Sequence, residues 1–131
     1  MSDAIVFLSV ADVVQIHADT MRHEGGLHGV RDHGLLEAAV AMPRQRFGGN
    51  HLHDGPAAMA AAYLFYLANN HPFLDGNKRA AAMSALVFLK VNRTDPLPEN
   101  DEMTWVTLAV ASGDMDKSTL TRWFADALGG G

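Results

Sequence analysis

The chain has 131 residues, 48% of them hydrophobic and 19% charged, and it contains no cysteine. This length suits one globular domain, and the lack of cysteine excludes disulfides, thiolate metal sites and cysteine nucleophiles. The formal net charge of −5 argues against a generic nucleic-acid binder, which needs a basic surface to neutralise phosphates. We therefore expect no direct contact with nucleic acid.

Neither a membrane segment nor a secretion signal is visible in the sequence. No window approaches the length of uninterrupted apolar sequence that crosses a bilayer, and residues 1–4 lack the basic start of a secretory signal. We expect a cytoplasmic protein without membrane contact. We also expect a single domain over residues 1–128, followed by a disordered glycine tail at residues 129–131.

Turn signals divide the chain into about six predicted helices, and no stretch follows the period of two that is typical of strands. The first helix begins at Ser9, a predicted N-cap with Asp12 in the capping-box position, and it ends before Gly25. Asp32 is the predicted cap of the second helix, which Pro43 ends. Along the first helix, mostly apolar residues follow helical spacing: Val10, Val13, Val14, His17 and Met21.

Two central helices are predicted at about residues 57–68 and 77–91, the first of them entered through Pro56. Both are apolar on nearly every side, and such a helix is expected to be buried on every side. Two amphipathic helices close the chain, one around Trp105 and Leu108 and the other around Trp123. The predicted fold is all-α, a compact bundle of about six helices in which a short loop joins the two buried central helices.

The nine residues that join the central helices carry more polar chemistry than a helical hairpin needs: His71-Pro72-Phe73-Leu74-Asp75-Gly76-Asn77-Lys78-Arg79. The first amides of a helix have no internal partners and carry partial positive charge, so they bind anions. Lys78 and Arg79 add two formal charges at the same end, and Gly76 permits a close approach of the backbone. This combination predicts a phosphate site.

Two further loop residues suit proton transfer and metal binding. Histidine titrates close to neutral pH, so His71 is a candidate general base acting on a hydroxyl. Asp75 either caps the helix or holds Mg²⁺, which commonly takes one or two carboxylates together with substrate phosphates. Phe73 is expected to point into the core and anchor the loop. Each residue alone has a simpler structural explanation, but together they predict an active site.

The loop resembles the signature of the Fic/Doc superfamily, which reads His-Pro-Phe, two residues, Gly-Asn, one residue and Arg. The matching residues are His71, Pro72, Phe73, Gly76, Asn77 and Arg79. Flanking segments, among them residues 34–37 and 47–49, resemble the shorter, death-on-curing (Doc) branch. The resemblance implies the Fic/Doc fold.

The same resemblance implies which group is transferred. Family members that transfer AMP typically have glycine after the asparagine and a second arginine three residues beyond the first, where this chain has Lys78 and Ala82. The Asn-Lys-Arg version is similar to Doc toxins, which transfer the γ-phosphate of ATP to a threonine of elongation factor Tu and arrest translation. The implied function is an ATP-dependent protein kinase toxin. AMP transfer and a catalytically silent binding module are the alternatives.

The resemblance also implies roles for the loop residues. His71 is the implied general base, Asp75 positions Mg²⁺, and Lys78 and Arg79 stabilise charge on the transferring group. The implied phosphate and nucleotide site consists of Phe73, Gly76, Asn77, Lys78 and Arg79. The implied regulator is an antitoxin whose disordered tail folds as a helix across the active-site groove.

Four other features receive an interpretation from the sequence. The segment at residues 51–54 contains two histidines but no third ligand, so it is predicted to be a solvated loop rather than a metal site. His17 and His33 are predicted on helix surfaces or as caps. Residues 20–25 formally fit the self-inhibitory pattern of some Fic proteins, but the second arginine with which Glu24 would pair is absent, and we interpret the match as coincidence. Residues 44–50 are predicted to form a flap that aligns the target.

Overall fold

The computed structural model describes residues 4–129, which form six α-helices and one short β-hairpin. The helices are α1 (Val10–Glu24), α2 (His33–Ala41), α3 (Pro56–Asn70), α4 (Asn77–Val91), α5 (Asn100–Ala111) and α6 (Lys117–Ala127); the strands are β1 (Arg46–Phe47) and β2 (Asn50–His51). The predicted all-α bundle is confirmed. None of the described helices is long and apolar enough to cross a membrane. Most of the predicted glycine tail, residues 130–131, lies outside the described residues.

The helix starts follow from local capping chemistry. In α1 the amide of Asp12 donates to Ser9 Oγ at 3.1 Å, and the Ser9 amide donates to Asp12 Oδ2 at 2.8 Å, which is the predicted capping box. Asp32 accepts from the Leu35 amide at 2.9 Å at the start of α2. These predictions are confirmed because each depends on residues only three positions apart.

The connection between α2 and α3 contains structure that the sequence did not predict. A 3₁₀ turn at Met42–Arg44 follows α2, and β1 then pairs antiparallel with β2 across Gly48 and Gly49, whose φ angles are +59° and +85°. Positive φ at both central residues is the requirement of a type I′ turn, a common two-residue hairpin connection. The expectation of no strand was wrong here because two-residue strands are too short to show a period of two.

The core lies where α3 packs against α4, the most extensive interface between two elements of the described chain. Seven fully buried alanines from these two helices contribute to the core: Ala60, Ala61, Ala62, Ala68, Ala80, Ala81 and Ala85. Their small side chains let the helix backbones approach closely. At one end of this core the Tyr63 hydroxyl accepts from the Leu8 amide at 2.8 Å, and burial raises the pKa of Tyr63 to about 12.

Two predictions about helix faces were wrong. Met83 and Val91 on α4 are each more than 40% exposed, because α4 is covered by α1, α3 and α5 and keeps a solvent-facing stripe. On α5 the predicted apolar residues Trp105 and Leu108 are exposed. The buried face of α5 is instead formed by Met103, Val106, Thr107 and Val110.

Candidate active site

The predicted loop opens into a cavity of about 620 Å³ between the start of α4 and one face of α5. Its walls are formed by His71, Leu74, Asp75, Gly76, Asn77, Lys78, Arg79, Ala82, Thr104, Thr107 and Leu108. The structure thus brings six of the seven predicted site residues together around one cavity. Phe73, the seventh, lies outside the cavity lining, with its ring buried in the core.

His71 is held at the C-terminus of α3 in the left-handed region, with φ 48° and ψ 55°. A residue with a Cβ adopts this conformation at a cost of roughly 1–2 kcal/mol, so a surrounding contact must offset it. Arg31 supplies that contact, because its Nε donates to the His71 carbonyl at 2.7 Å and its Nη2 donates to the Asn70 carbonyl at 3.1 Å. The guanidinium therefore caps α3 and fixes the backbone of the predicted base.

The segment before α2, residues 29–32, runs along the loop, and we call it the strap. The Arg31 amide donates to the Pro72 carbonyl at 2.7 Å, the Leu74 amide donates to the Gly29 carbonyl at 3.1 Å, and Val30 forms an antiparallel bridge with Phe73. These backbone bonds satisfy loop groups that a helix or sheet would otherwise pair. The position of the loop therefore depends on a segment about 40 residues earlier in the chain.

The Asn77 side chain forms two hydrogen bonds with the backbone of the loop at Phe73. Its Oδ1 accepts from the Phe73 amide at 2.9 Å, and its Nδ2 donates to the Phe73 carbonyl at 3.0 Å. An amide NH₂ has two donor positions, so one N–H of Asn77 is left for another partner. Its side chain thus has a loop-forming role that the sequence did not predict, beside the predicted contact with phosphate.

The N-terminus of α4 points its free amides at the cavity. The helices α1, α2 and α6 begin with capping side chains, Ser9, Asp32 and Asp116. The other three helices begin without one, and of these α4 begins at the cavity, with Gly76 as its N-cap. Among the described residues no group accepts a hydrogen bond from the amides of residues 77–79. Unsatisfied amides at a helix start attract anions, and the exposed side chains of Lys78 and Arg79 stand beside them.

A magnesium ion held by Asp75 would need further ligands from a substrate. One carboxylate oxygen, Oδ1, accepts from the Gly76 amide at 2.8 Å, and the side chain is otherwise exposed at the cavity wall. Within residues 4–129 no three carboxylate or histidine side chains cluster as metal ligands. A single carboxylate fits Mg²⁺ in the mode in which phosphate oxygens and water complete the shell. The other prediction for Asp75, a helix cap, is not what the structure shows, because Gly76 occupies the N-cap position.

Glu24 reaches the predicted phosphate-binding arginine. Its Oε2 lies 3.4 Å from Arg79 Nη2, and both side chains are about half exposed. We predicted no role for Glu24, since the second arginine of AMP-transferring relatives is absent. The structure instead places Glu24 against the first arginine, at the rim of the cavity.

Two histidines lie where the sequence did not predict them. His17 was expected at the surface or as a cap, but it is buried, and its ring stacks on Phe73 with centroids 3.8 Å apart. The only signal for this in the sequence was its position in the apolar stripe of α1. His53, expected in a solvated loop, is also buried, and its Nε2 accepts from Lys117 Nζ at 2.9 Å.

The far wall of the cavity comes from α5, which the sequence did not link to the site. Thr104, Thr107 and Leu108 line this wall, but the buried hydroxyl of Thr107 already donates to the Met103 carbonyl. Thr104 and Leu108 are exposed toward solvent. No motif marks these residues, and only the packing of α5 against α4 brings them to the loop.

The comparison with known families agrees with this geometry. The model of the Fic/DOC family matches residues 7–89, which include α1 to α3, all but the last two residues of α4, the strap and the whole loop. The chain belongs to the Fic/DOC family. The Fic/DOC match ends before α5, so every described cavity residue except those on α5 falls inside it.

Two curated relatives of this Fic/DOC protein are similar over long stretches. The protein kinase doc of Escherichia phage P1 is 31% identical over 124 residues, which cover 92% of this chain and 97% of the relative. The toxin Doc of Mycolicibacterium smegmatis is 47% identical over 68 residues, which are 52% of each protein. Both names fall in the Doc branch, and the predicted branch is confirmed.

Proposed function

We propose that this protein is a Doc-type toxin that transfers the γ-phosphoryl group of ATP to a threonine hydroxyl of a translation factor, elongation factor Tu by resemblance. The observation that carries the proposal is the start of α4, where three free amides, Lys78 and Arg79 meet at one cavity with His71 and Asp75. The similarity to a relative named protein kinase doc over 97% of its length supports the same reaction.

In the proposed reaction the target hydroxyl oxygen attacks the γ-phosphorus and ADP leaves. His71 accepts the hydroxyl proton and later releases it to solvent. The α4 amides and Asn77 bind phosphate oxygens, while Lys78 and Arg79 stabilise the negative charge of the transferring group, which is the larger part of phosphoryl-transfer catalysis. Mg²⁺, when bound, neutralises charge on the phosphates, and Asp75 is the residue that would hold it.

The composition of the cavity favours phosphoryl transfer over AMP transfer. Ala82, which stands where AMP-transferring relatives have their second arginine, lines the cavity one turn beyond Lys78. The described cations of the wall are Lys78 and Arg79, both at the first turn of α4. Charge is therefore concentrated at one end of the site, which suits a terminal phosphate bound at the helix start.

We propose further that an antitoxin with a disordered tail controls the activity in the cytoplasm. The cavity is a groove open to solvent, and Leu74 and Leu108 expose apolar surface on its two sides. An amphipathic helix laid across such a groove would cover both leucines and block the entry of ATP. A short reading frame beside this gene, encoding a DNA-binding head and a disordered tail, is the expected source of this partner.

Labelled ATP tests the proposed reaction directly. The protein is incubated with elongation factor Tu and with ATP labelled either at the α or at the γ phosphate. We expect label in the target only from the γ position, and we expect His71→Ala to reduce transfer by about a hundredfold or more, since a positioned general base contributes about that much. His33→Ala is the matched control, because His33 is exposed on α2. This variant should transfer phosphate at the wild-type rate.

The other outcomes identify the alternatives. Transfer of the α label alone would show AMP transfer and contradict the kinase proposal. If His71→Ala keeps the growth arrest that the wild-type protein causes in cells, the protein is a binding module rather than an enzyme.

A further inference from the structure

His17 occupies an unusual position for a polar side chain. It is only 3% exposed, in the middle of α1, on the face that packs against the loop. Its ring is nearly parallel to that of Phe73, with an interplanar angle of 3°. Its Nε2 lies 2.8 Å from the carbonyl oxygen of Asp75. Because a carbonyl oxygen only accepts hydrogen bonds, Nε2 carries the proton and donates it.

This hydrogen bond orients the whole peptide unit between Asp75 and Gly76, because that unit is planar. In a trans peptide the C=O and the N–H point in opposite directions. When His17 fixes the Asp75 carbonyl, it also fixes the direction of the Gly76 N–H. That N–H donates to Asp75 Oδ1 at 2.8 Å, so the orientation of the carboxylate depends on His17 through a single peptide unit.

The surroundings leave this turn little space to move. Gly76 has φ +76°, and a Cβ built on it would lie 2.5 Å from Met21 Sδ and 3.5 Å from His17 Nε2. A Cβ built on Gly26 would lie 2.5 Å from Asp75 Oδ2. Side chains of α1 therefore pack closely against one side of the turn, and Gly26 packs closely against the Asp75 carboxylate on another side.

We propose that His17 is a positioning residue for Asp75, and that it sets the affinity of the site for magnesium-bound nucleotide. The proposal rests on the proposed function in that the nucleotide is taken to be ATP. His17 itself touches neither nucleotide nor metal, since it is buried beneath the loop. It acts through the Asp75 carbonyl, the Gly76 amide and the Asp75 carboxylate in that order.

Two substitutions separate the hydrogen bond of His17 from its packing. His17→Phe keeps an aromatic ring over Phe73 but removes the N–H donor. His17→Gln keeps an N–H donor at about the distance of Nε2 but removes the ring. If the hydrogen bond positions Asp75, His17→Phe loses function and His17→Gln keeps it; if the ring alone matters, the order is reversed.

Calorimetric binding of a non-hydrolysable ATP analogue, with Mg²⁺ and with a chelator, measures the effect on the site. For His17→Phe we expect about five- to tenfold weaker binding with Mg²⁺, as the loss of one hydrogen bond predicts, and unchanged binding without it. His17→Gln should bind within about twofold of wild type in both conditions. Equal weakening with and without Mg²⁺ would contradict the proposal, as would a His17→Gln variant weaker than His17→Phe.

Two measurements remain decisive if the ATP analogue does not bind or the phenylalanine variant does not fold. In the wild-type protein, ¹⁵N spectra of the imidazole should show the proton of His17 on Nε2; a neutral ring protonated on Nδ1 would overturn the proposal. In His17→Gln the Gly76 amide should keep its wild-type protection from hydrogen exchange, and loss of that protection would equally overturn it. Failure of wild-type protein to bind the analogue would count against the proposed function alone.

Discussion

Arg79 has two anions competing for it if the proposed function is right. Glu24 lies 3.4 Å from its guanidinium in the described structure, and ATP would bring phosphate oxygens to the same group. An exposed ion pair of this kind contributes only about 0–1 kcal/mol. Glu24 should therefore weaken nucleotide binding without preventing it.

Replacing Glu24 with glutamine tests this competition. Glu24→Gln removes the negative charge and keeps the shape, so we expect the KM for ATP to fall about two- to fivefold, within the range that an exposed ion pair allows. The control is Glu37→Gln, an exposed glutamate on α2, for which KM should not change. An unchanged or raised KM in Glu24→Gln would show that this contact does not compete with nucleotide.

Residue by residue, the sequence predicted the parts of the site that are local and missed those that are not. His71 to Arg79 are consecutive, so their chemistry is visible without a structure. Arg31 and His17 act on this loop from positions 40 and 58 residues away, and nothing in their own neighbourhoods indicates it. Their roles depend on packing between helices, which a single sequence does not specify.

At the level of elements, the Lys117 side chain connects α6 to His53, which follows the hairpin. Lys117 forms no salt bridge with a carboxylate among the described residues. Lys117 Nζ donates to His53 Nε2 at 2.9 Å and to the Tyr66 hydroxyl at 3.1 Å, and it lies 5.2 Å from the centre of the Tyr66 ring. Burial, followed by the charge of Lys117, lowers the pKa of His53 below its ordinary value. His53 is therefore neutral in the folded protein at neutral pH.

This lowered pKa predicts how stability depends on pH. Because the unfolded chain takes up a proton at His53 more readily than the folded one, the contribution of His53 to stability is complete above about pH 6.5. It is lost as the pH falls below that value toward the lowered pKa. The loss is at most about 1.4 kcal/mol per pH unit for one proton.

Urea unfolding between about pH 5 and pH 8 checks this prediction. His53→Gln keeps an acceptor for Lys117 but does not titrate, so its free energy of unfolding should depend less on pH than that of wild type below about pH 6.5. His33→Gln, an exposed histidine on α2, should keep the wild-type dependence. Identical pH profiles for His53→Gln and wild type would refute the assignment.

The elements themselves were predictable where capping residues and apolar spacing agree. The six helices and the starts of α1 and α2 follow from such signals. The exposed faces of α4 and α5 were not predictable in this way. Met83 and Trp105 are apolar side chains, and they are exposed only because no other helix of the bundle covers them. Periodicity shows which residues share a face, but not what covers that face.

For the whole molecule, stability depends on how closely α3 approaches α4. Seven alanines of these two helices, Ala81 among them, are fully buried, and a close-packed interior leaves little room for a larger side chain. The same approach sets the distance between the two ends of the loop, since His71 follows α3 and Gly76 precedes α4. Packing in the core and geometry in the site are therefore linked.

Overpacking this interface should destabilise the protein. We expect Ala81→Leu to lower the free energy of unfolding by about 1–3 kcal/mol, because added methylene groups force side chains and backbone apart. Urea denaturation gives the value, and Ala11→Leu on the exposed face of α1 is the control, with a change within about 0.5 kcal/mol. Equal stability of the two variants would mean that the interface can expand at little cost.

The hairpin formed by β1 and β2 offers a site for a fluorescent label. Phe47 stands at its turn with 83% of its surface exposed, and the chain has no cysteine of its own. A thiol introduced at position 47 would be the sole attachment point for a fluorescent dye, away from the buried core. If residues 44–50 form the predicted flap, the emission of that dye would report the arrival and departure of a target protein in real time, with the chemistry at His71 left intact.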